Sequence, residues 1–138
     1  MSAVNEKKVA ALEAVKYIKS GMTVGLGTGS TAFFMIEAIG EMVKNGLEIK
    51  AVATSEATKK LASKLGINVI TLAEAKRLDV TIDGADEVDE DFQLIKGGGG
   101  ALLREKIVAH NTDLNIIIAD SSKSVSRLGK FKLPIETI

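Results

Sequence analysis

The chain has 138 residues, 46% hydrophobic and 26% charged, and its 18 basic side chains balance 18 acidic ones. This composition is typical of a globular domain, and it gives no excess of positive charge for binding nucleic acid or an anionic membrane. With no cysteine and a single histidine, the chain cannot form disulfides, thiolate nucleophiles, zinc–thiolate centres or multi-histidine metal sites.

The first predicted element is a helix over residues 4–19, where apolar side chains recur on one stripe and Gly21 follows the end. Lys7, near its start, is interpreted as a solvent contact, with a ligand role as the alternative. This N-terminal sequence is too charged and amphipathic for a signal peptide, and no apolar run approaches the length of a membrane span. We therefore expect a cytoplasmic protein.

A short apolar strand (22–27) runs into a glycine-rich turn, GLGTGSTA, and a second helix follows to about Asn45. Ser30 or Thr31 is expected to cap this helix. A turn of this kind presents unpaired N–H groups and the positive end of a helix dipole, which together bind anions. A purely structural turn with a capped helix is the alternative.

The same turn departs from the dinucleotide-binding pattern. Its glycines are Gly25, Gly27 and Gly29, and Ser30 stands where that pattern has its third glycine. The next predicted strand (48–54) ends in hydroxyl side chains, not in an acid that would bind a ribose diol. The sequence therefore favours a single phosphate over a dinucleotide.

The rest of the chain alternates between strands and helices, without repeats or a linker. The further elements predicted are a helix (55–66) capped by Ser55, a strand (68–72), a helical turn (73–77), strands (79–83 and 92–96), a helix (101–110), a strand (113–120) and an extended tail (131–138). The strand 113–120 is the most apolar and is expected to be central. The pattern predicts an α/β fold, a Rossmann-like open and mostly parallel sheet with helices on both faces, and one domain over residues 1–138.

The stretch from Asp83 to Glu105 concentrates the chemistry. Asp83 ends a predicted strand, where open parallel sheets place their ligands, and Lys96 precedes the four glycines 97–100. Carboxylates, one ammonium group and a bare backbone loop are what proton transfer on a small anionic substrate requires. A solvated acidic loop is the alternative, and it is our interpretation of the later acids, 87–91.

The predicted helix 101–110 places Leu103, Ile107 and His110 on one face, with Glu105 roughly opposite. His110 is interpreted as a packing or surface residue. A glutamate in the first turn of a helix is stabilised as the anion by the helix dipole, whereas a good base needs a raised pKa. Burial and the neighbouring acids would have to outweigh the dipole.

Five segments together resemble type A ribose-5-phosphate isomerase: GLGTGSTA (25–32), TSEAT (54–58), DGADEVD (83–89), KGGGGALLREK (96–106) and ADSSK (119–123). The resemblance spans almost the whole chain. It implies interconversion of ribose 5-phosphate and ribulose 5-phosphate in the pentose phosphate pathway, with no metal and no organic cofactor. The implied partner is a sugar phosphate, with no nucleic acid and no membrane.

The resemblance also assigns residues. It places the proton-abstracting carboxylate at Glu105, hydroxyl-binding carboxylates at Asp83 and Asp86, and charge stabilisation at Lys96 with the glycine amides. The substrate contacts it implies are Thr28, Gly29, Ser30, Thr31, Asp83, Gly84, Ala85, Asp86, Lys96, Gly97, Gly98, Gly99 and Lys123.

Complete members of that family continue past the equivalent of Ile138 with a second small α/β domain, and they form dimers or tetramers. We therefore expect a fragment or a shortened form, and a homo-oligomer, such as a dimer, for the complete protein. Three alternatives stay open at this point: a non-catalytic sugar-phosphate sensor, which needs no base at position 105, an inactive truncated fragment, and a dinucleotide-binding domain.

Overall fold

The computed structural model describes residues 1–138, which form five α-helices and six β-strands. The helices are α1 (Ala3–Val15), α2 (Ser30–Lys44), α3 (Glu56–Lys64), α4 (Leu72–Ala75) and α5 (Leu102–His110). The strands are β1 (Thr23–Leu26), β2 (Lys50–Ala53), β3 (Leu78–Gly84), β4 (Glu87–Val88), β5 (Leu94–Ile95) and β6 (Thr112–Ile118). A 3₁₀ turn, Ser121–Lys123, follows β6.

Four strands form a parallel sheet in the order β2-β1-β3-β6, and β4 and β5 form a separate antiparallel ribbon. From β1 the chain passes first to β2 on one side and then to β3 on the other. The carboxyl ends of β1 and β3 therefore flank the point where the strand order reverses, which is the usual ligand position in open α/β sheets. The predicted α/β class with a mostly parallel sheet is confirmed.

Two predictions about strands were wrong. The apolar strand β6 lies at the edge of the sheet, where Leu114 is 45% exposed and Ile117 is 36% exposed. Residues 68–72 make only a bridge between Val69 and Ala51. Apolar content reports how much of a strand can be buried, but it does not report how many neighbouring strands pair with it.

Helices pack on both faces of the sheet, as predicted. On one face α1 and α2 bury a cluster of 17 apolar residues, which includes Ala51 of β2. On the opposite face Val52, Leu78 of β3 and Val108 of α5 form a smaller cluster. Successive residues of β2 therefore serve opposite cores, as the two-residue period of a strand requires. None of the helices combines the length and apolar character needed to cross a bilayer.

Helix α5 buries the face that carries Glu105. Leu103 and Ile107 are 41% and 43% exposed, whereas Glu105 and Val108 are buried. His110 is exposed, in agreement with its interpretation as a surface residue. The face of α5 that turns inward is therefore the one that meets the polar site at the sheet edge, not the one that carries Leu103 and Ile107.

The first strand contacts its neighbour closely enough to require glycine. A Cβ atom at Gly25 would lie 2.0 Å from Thr81 Oγ1, and one at Gly27 would lie 2.1 Å from Asp83 Oδ1 and 2.6 Å from its Cα. Neither distance is possible for a real side chain. The two glycines therefore allow β1 to approach the end of β3, which brings the turn after β1 next to Asp83.

Candidate functional site

A polar cavity lies at the carboxyl edge of the sheet, between the turn after β1, the end of β3, the glycine loop 97–100 and the start of α5. The residues that line it are Thr28, Gly29, Ser30, Thr31, Gly84, Ala85, Asp86, Lys96, Gly97, Gly98, Gly99, Glu105 and Lys123. All of these were singled out from the sequence. The remaining predicted site residue, Asp83, is buried and is not part of the cavity lining, but it contacts Lys96, which is.

The turn after β1 leaves the first turn of α2 open. Gly29 is the N-cap, with φ 109°, and no side chain bonds to the free N–H groups there. The prediction that Ser30 or Thr31 caps this helix was therefore wrong. A glycine at the cap satisfies the geometry of the turn without occupying those donors, so the N–H groups face the cavity and can bind an anion.

Thr28 is held by a network of hydroxyl groups under the turn. Its Oγ1 lies 2.7 Å from Thr54 Oγ1 and donates to Ser55 Oγ at 2.9 Å, while Thr58 Oγ1 donates to the carbonyl of Gly27 at 2.9 Å. The TSEAT segment noted in the sequence thus supports the turn. The Thr28 hydroxyl therefore serves this support, and its N–H donates to Asp83 Oδ1.

Two lysines lie on the same side of the cavity as Ser30. Lys123 lines the cavity, and Lys7 Nζ donates to Ser30 Oγ at 2.9 Å and lies 3.9 Å from Asp120 Oδ2. Burial raises the pKa of Asp120, but hydrogen bonds from Ser122 and the charges of both lysines outweigh it and hold that pKa below its ordinary value. The solvent-contact interpretation of Lys7 was therefore wrong, and nothing in the spacing of the sequence indicates its contact with Ser30.

A lysine between two buried carboxylates forms the opposite end of the cavity. Lys96 Nζ lies 2.8 Å from Glu105 Oε1 and 3.2 Å from Asp83 Oδ2, and it also donates to the carbonyl of Gly84. An ammonium group has three N–H donors, so all of them are engaged. Lys96 can therefore bind a substrate oxygen only by exchanging one of these partners.

The environment of Glu105 favours its neutral form. Burial raises the pKa of this carboxyl, the hydrogen bond and charge of Lys96 lower it, and the neighbouring Asp83 raises it again, with a net increase. Burial, together with Asp83, therefore outweighs Lys96 in setting the direction of the shift. A carboxylate with a raised pKa is a stronger base than an ordinary glutamate.

The two aspartates occupy different positions. Asp83 Oδ1 accepts from the N–H of Thr28 at 3.2 Å and from that of Gly84 at 2.7 Å, so this carboxylate organises the backbone around the cavity. Asp86 is half-buried and lines the cavity, and its Oδ2 accepts from the N–H of Gly98 at 2.7 Å. Only Asp86 is placed to meet a ligand directly.

The later acids do not all face solvent. Glu90 and Asp91 are exposed, as expected, and Asp89 closes the turn by accepting from the N–H of Gln93. Glu87, however, is 3% exposed and accepts from two distant amides. Its interpretation as a solvated acid was wrong, because a run of like charges does not reveal which member turns toward the interior.

Comparison with known proteins agrees with the resemblance seen in the sequence. The family model for ribose 5-phosphate isomerase A (phosphoriboisomerase A) matches residues 50–138. Over 98% of its length the chain is 58% identical to the ribose-5-phosphate isomerase A of Listeria monocytogenes. The chain belongs to the ribose 5-phosphate isomerase A family.

Solved structures of ribose 5-phosphate isomerases share the fold. One, in complex with phospho-erythronic acid, superposes with a TM-score of 0.90 at 42% identity over 93% of this chain and 57% of its own. The enzyme from Methanocaldococcus jannaschii gives 0.89 at 42% identity over 94% of this chain and 58% of its own. The present chain spans about 60% of the length of the curated ribose-5-phosphate isomerases A that it matches.

Proposed function

We propose that this chain carries an aldose–ketose isomerase site that interconverts D-ribose 5-phosphate and D-ribulose 5-phosphate through an enediolate. The observation that carries the proposal is the buried Glu105, whose pKa is raised and whose carboxylate meets Lys96 at 2.8 Å on the wall of the cavity. A base and an electrostatic stabiliser in contact are the two components that this reaction needs. Family membership supports the same activity.

The phosphate of the substrate is proposed to bind at the turn after β1. The open N–H groups at Gly29, Ser30 and Thr31 supply donors, and Lys123 supplies a positive charge beside them. Lys7 adds a second positive charge through its contact with Ser30. This arrangement orients the sugar so that its carbonyl end points toward Lys96.

Proton transfer is assigned to Glu105. Its carboxylate takes the proton from C2 of the open-chain aldose, and the electrons of that C–H bond form the C1=C2 bond of the enediolate while negative charge develops on O1. A hydroxyl proton then moves from O2 to O1, and Glu105 returns its proton to C1, which gives the ketose. Because the same group takes and returns the proton, one carboxylate is sufficient.

The developing charge on O1 is proposed to be stabilised by Lys96 and the amides of Gly97–Gly99. The amides of Gly97 and Gly99 line the cavity next to Glu105, whereas Lys96 would exchange one of its present partners, and Gly98 its bond to Asp86, in order to bind O1. Asp86 is placed to bind the sugar hydroxyls. Asp83, buried behind Lys96, is proposed to act through that lysine and through the backbone of Thr28 and Gly84.

Turnover of ribose 5-phosphate by the wild type and by Glu105→Gln tests the proposal. We expect the substitution to lower kcat by about 10³-fold, the typical contribution of a general base, with little change in affinity. Glu41→Gln, at an exposed position of α2, is the matched control and should retain full activity. If the wild type binds ribose 5-phosphate but does not turn it over, the isomerase proposal fails for this chain and a sensor role gains support.

We propose further that residues 1–138 act as one domain and that the complete protein is a homo-oligomer, which sedimentation velocity can test. Exposed apolar side chains, such as Leu114 and Ile117 on β6, support the proposal of a homo-oligomer.

The proposed activity belongs to the pentose phosphate pathway. Because a charged sugar phosphate does not cross a bilayer unaided, the cytoplasm that holds this substrate is the proposed location.

A further inference from the structure

Glu87 is a buried carboxylate that the proposed reaction does not use. It is 3% exposed, and its two oxygens accept from two amides of a distant segment, Oε1 from the N–H of Gly129 and Oε2 from that of Phe131, both at 2.9 Å. A buried carboxylate is costly unless its oxygens are bonded. The paired bonds therefore hold residues 129–131 in one position relative to β4.

The segment held by Glu87 lies against the glycine loop of the cavity. A Cβ atom at Gly98 would lie 2.8 Å from Cζ of Phe131 and 2.6 Å from Oδ1 of Asp86. The Phe131 ring and the Asp86 carboxylate therefore enclose Gly98. The N–H of Gly98 also donates to Asp86 Oδ2. Only a residue without a side chain fits between them.

The strand that carries Glu87 connects both sides of this loop. Glu87 pairs with Ile95 in the ribbon of β4 and β5, and the N–H of Asp86 donates to the carbonyl of Ile95 at 2.7 Å. Asp86, which accepts from the N–H of Gly98, is next to Glu87 in sequence, and Lys96, which precedes the loop, follows the Ile95 that pairs with Glu87. A shift of β4 would move both of them.

The same segment continues to the start of α5. Glu136 Oε2 accepts from the N–H of Leu103 at 2.7 Å, while the N-cap residue, Ala101, provides no side-chain bond. The tail carboxylate therefore supplies a missing cap on the helix turn that carries Glu105. We call residues 129–136 the strap. It is bonded to β4 at one end and to α5 at the other, and it crosses the glycine loop between them.

We propose that Glu87 is a positioning residue, which fixes the strap across residues 97–100 so that the loop amides and Lys96 are held where the enediolate oxygen forms. The role given to the loop, binding the enediolate oxygen, rests on the proposed isomerase function; the restraint of the loop by Glu87 does not. The physical reason is that four consecutive glycines have many accessible backbone conformations, so amides that must point at one oxygen need an external restraint.

Hydrogen exchange tests the restraint without any ligand. In Glu87→Gln one acceptor oxygen is replaced by an amide NH₂, which cannot accept from a backbone N–H. We expect the amides of residues 97–100 and 129–131 to exchange about 10-fold faster than in the wild type, with β1 and β3 unchanged. Glu90→Gln, at an exposed acid of the same run, is the control and should not change exchange.

Ligand affinity tests the consequence for the site. We expect Glu87→Gln to weaken binding of phospho-erythronic acid, whose carboxylate would meet Lys96 and the loop, by about 10-fold, with inorganic phosphate affected less than about 2-fold. Calorimetric titration of both ligands measures this. A merely structural role would weaken both ligands equally, or would accelerate exchange in β1 and β3 as much as in the loop, and either result would overturn the inference.

A second variant covers the case in which Glu87→Gln does not fold. Phe131 is 38% exposed, so Phe131→Ala should leave the core intact while it loosens Gly98, and Phe131→Leu should restore most of the affinity for phospho-erythronic acid. Unchanged loop exchange in Phe131→Ala would also overturn the inference. The proposed function fails on a different result: the wild type neither binds phospho-erythronic acid nor turns over ribose 5-phosphate. In that case the hydrogen-exchange comparison of Glu87→Gln with the wild type still decides whether Glu87 holds the loop.

Discussion

At the scale of single residues, Glu105 shows how opposing influences on one carboxyl group are resolved. Its helix position and Lys96 both favour the anion, and burial with the nearby Asp83 favours the neutral acid. Because the pKa is raised, ionising Glu105 in the folded protein costs more free energy than ionising an ordinary glutamate. The same free-energy cost makes the ionised carboxylate the stronger base that the proposed reaction needs.

The pH dependence of stability measures this cost. Because the pKa of Glu105 in the folded state lies above the ordinary value of 4.5, its contribution to stability is complete below that pH and is lost as the pH rises through the folded-state pKa. The free energy of unfolding of Glu105→Gln should therefore match that of the wild type at low pH. It should exceed the wild-type value once the pH is above the pKa of Glu105 in the folded state. Urea unfolding at a series of pH values, followed by circular dichroism, gives the comparison.

The control for this experiment is Glu41→Gln, whose free energy of unfolding should follow the wild type at every pH. If Glu105→Gln instead became less stable than the wild type as the pH rose, the ionised carboxylate would be stabilising through Lys96. The inferred direction of the pKa shift would then be wrong.

At the scale of elements, the close approach of β1 and β3 determines where the turn after β1 can lie. Gly25 and Gly27 remove the side chains that would separate the two strands, and Asp83 Oδ1 then reaches the N–H of Thr28. The turn after β1 and the Lys96 centre are thereby joined through one carboxylate. A sequence motif rich in glycine therefore serves the packing of the two strands here, in addition to the anion binding proposed for it.

Gly27→Ala should be strongly destabilising. The new Cβ would lie 2.6 Å from the Cα of Asp83, and backbone cannot yield as a flexible side chain would, so we expect a loss of about 3 kcal/mol in the free energy of unfolding. Gly84→Ala is the matched control, because its nearest contact is Ile118 O at 3.7 Å. Urea denaturation of both variants provides the measurement, and equal stabilities would refute the close approach.

At the scale of the whole molecule, the cavity is assembled from parts of the chain that are far apart in sequence. Thr28 follows the first strand, Glu105 lies in the first turn of the last α-helix, and Lys123 lies beyond the last strand. Lys7 on α1 and the strap 129–136 bring both ends of the chain to the same edge of the sheet. A ligand that bridges these parts should therefore stabilise the fold as a unit.

From the proposed site we expect phospho-erythronic acid to raise the free energy of unfolding by about 2.7 kcal/mol at a free concentration of 100 Kd, because a ligand that binds only the folded state shifts the unfolding equilibrium. Thermal unfolding with and without the ligand measures the effect. Erythronic acid without the phosphate is the control and should give a much smaller change at the same concentration. A ligand that binds in titration and leaves the unfolding transition unmoved would show that the site does not depend on the assembled fold.

Much of the site was predictable from the sequence, because turn chemistry and strand ends are local properties. The glycine-rich turn, the aspartate near the end of β3 and the lysine before the glycine loop each follow from a few neighbouring residues, whereas the role of Glu105 was implied by the family resemblance. The alternation of strands and helices likewise predicted the α/β fold with helices on both faces. These features depend on spacing along the chain, which is visible without coordinates.

Only the tertiary structure decided the features that depend on distant neighbours. It placed β6 at the edge of the sheet, turned the buried face of α5 toward the cavity, and left α2 without a side-chain cap. It brought Lys7 to Ser30 and buried Glu87 against two amides more than 40 positions away. Burial, strand pairing and pKa are set by which groups meet in space, and the order of residues along the chain does not contain that information in a locally readable form.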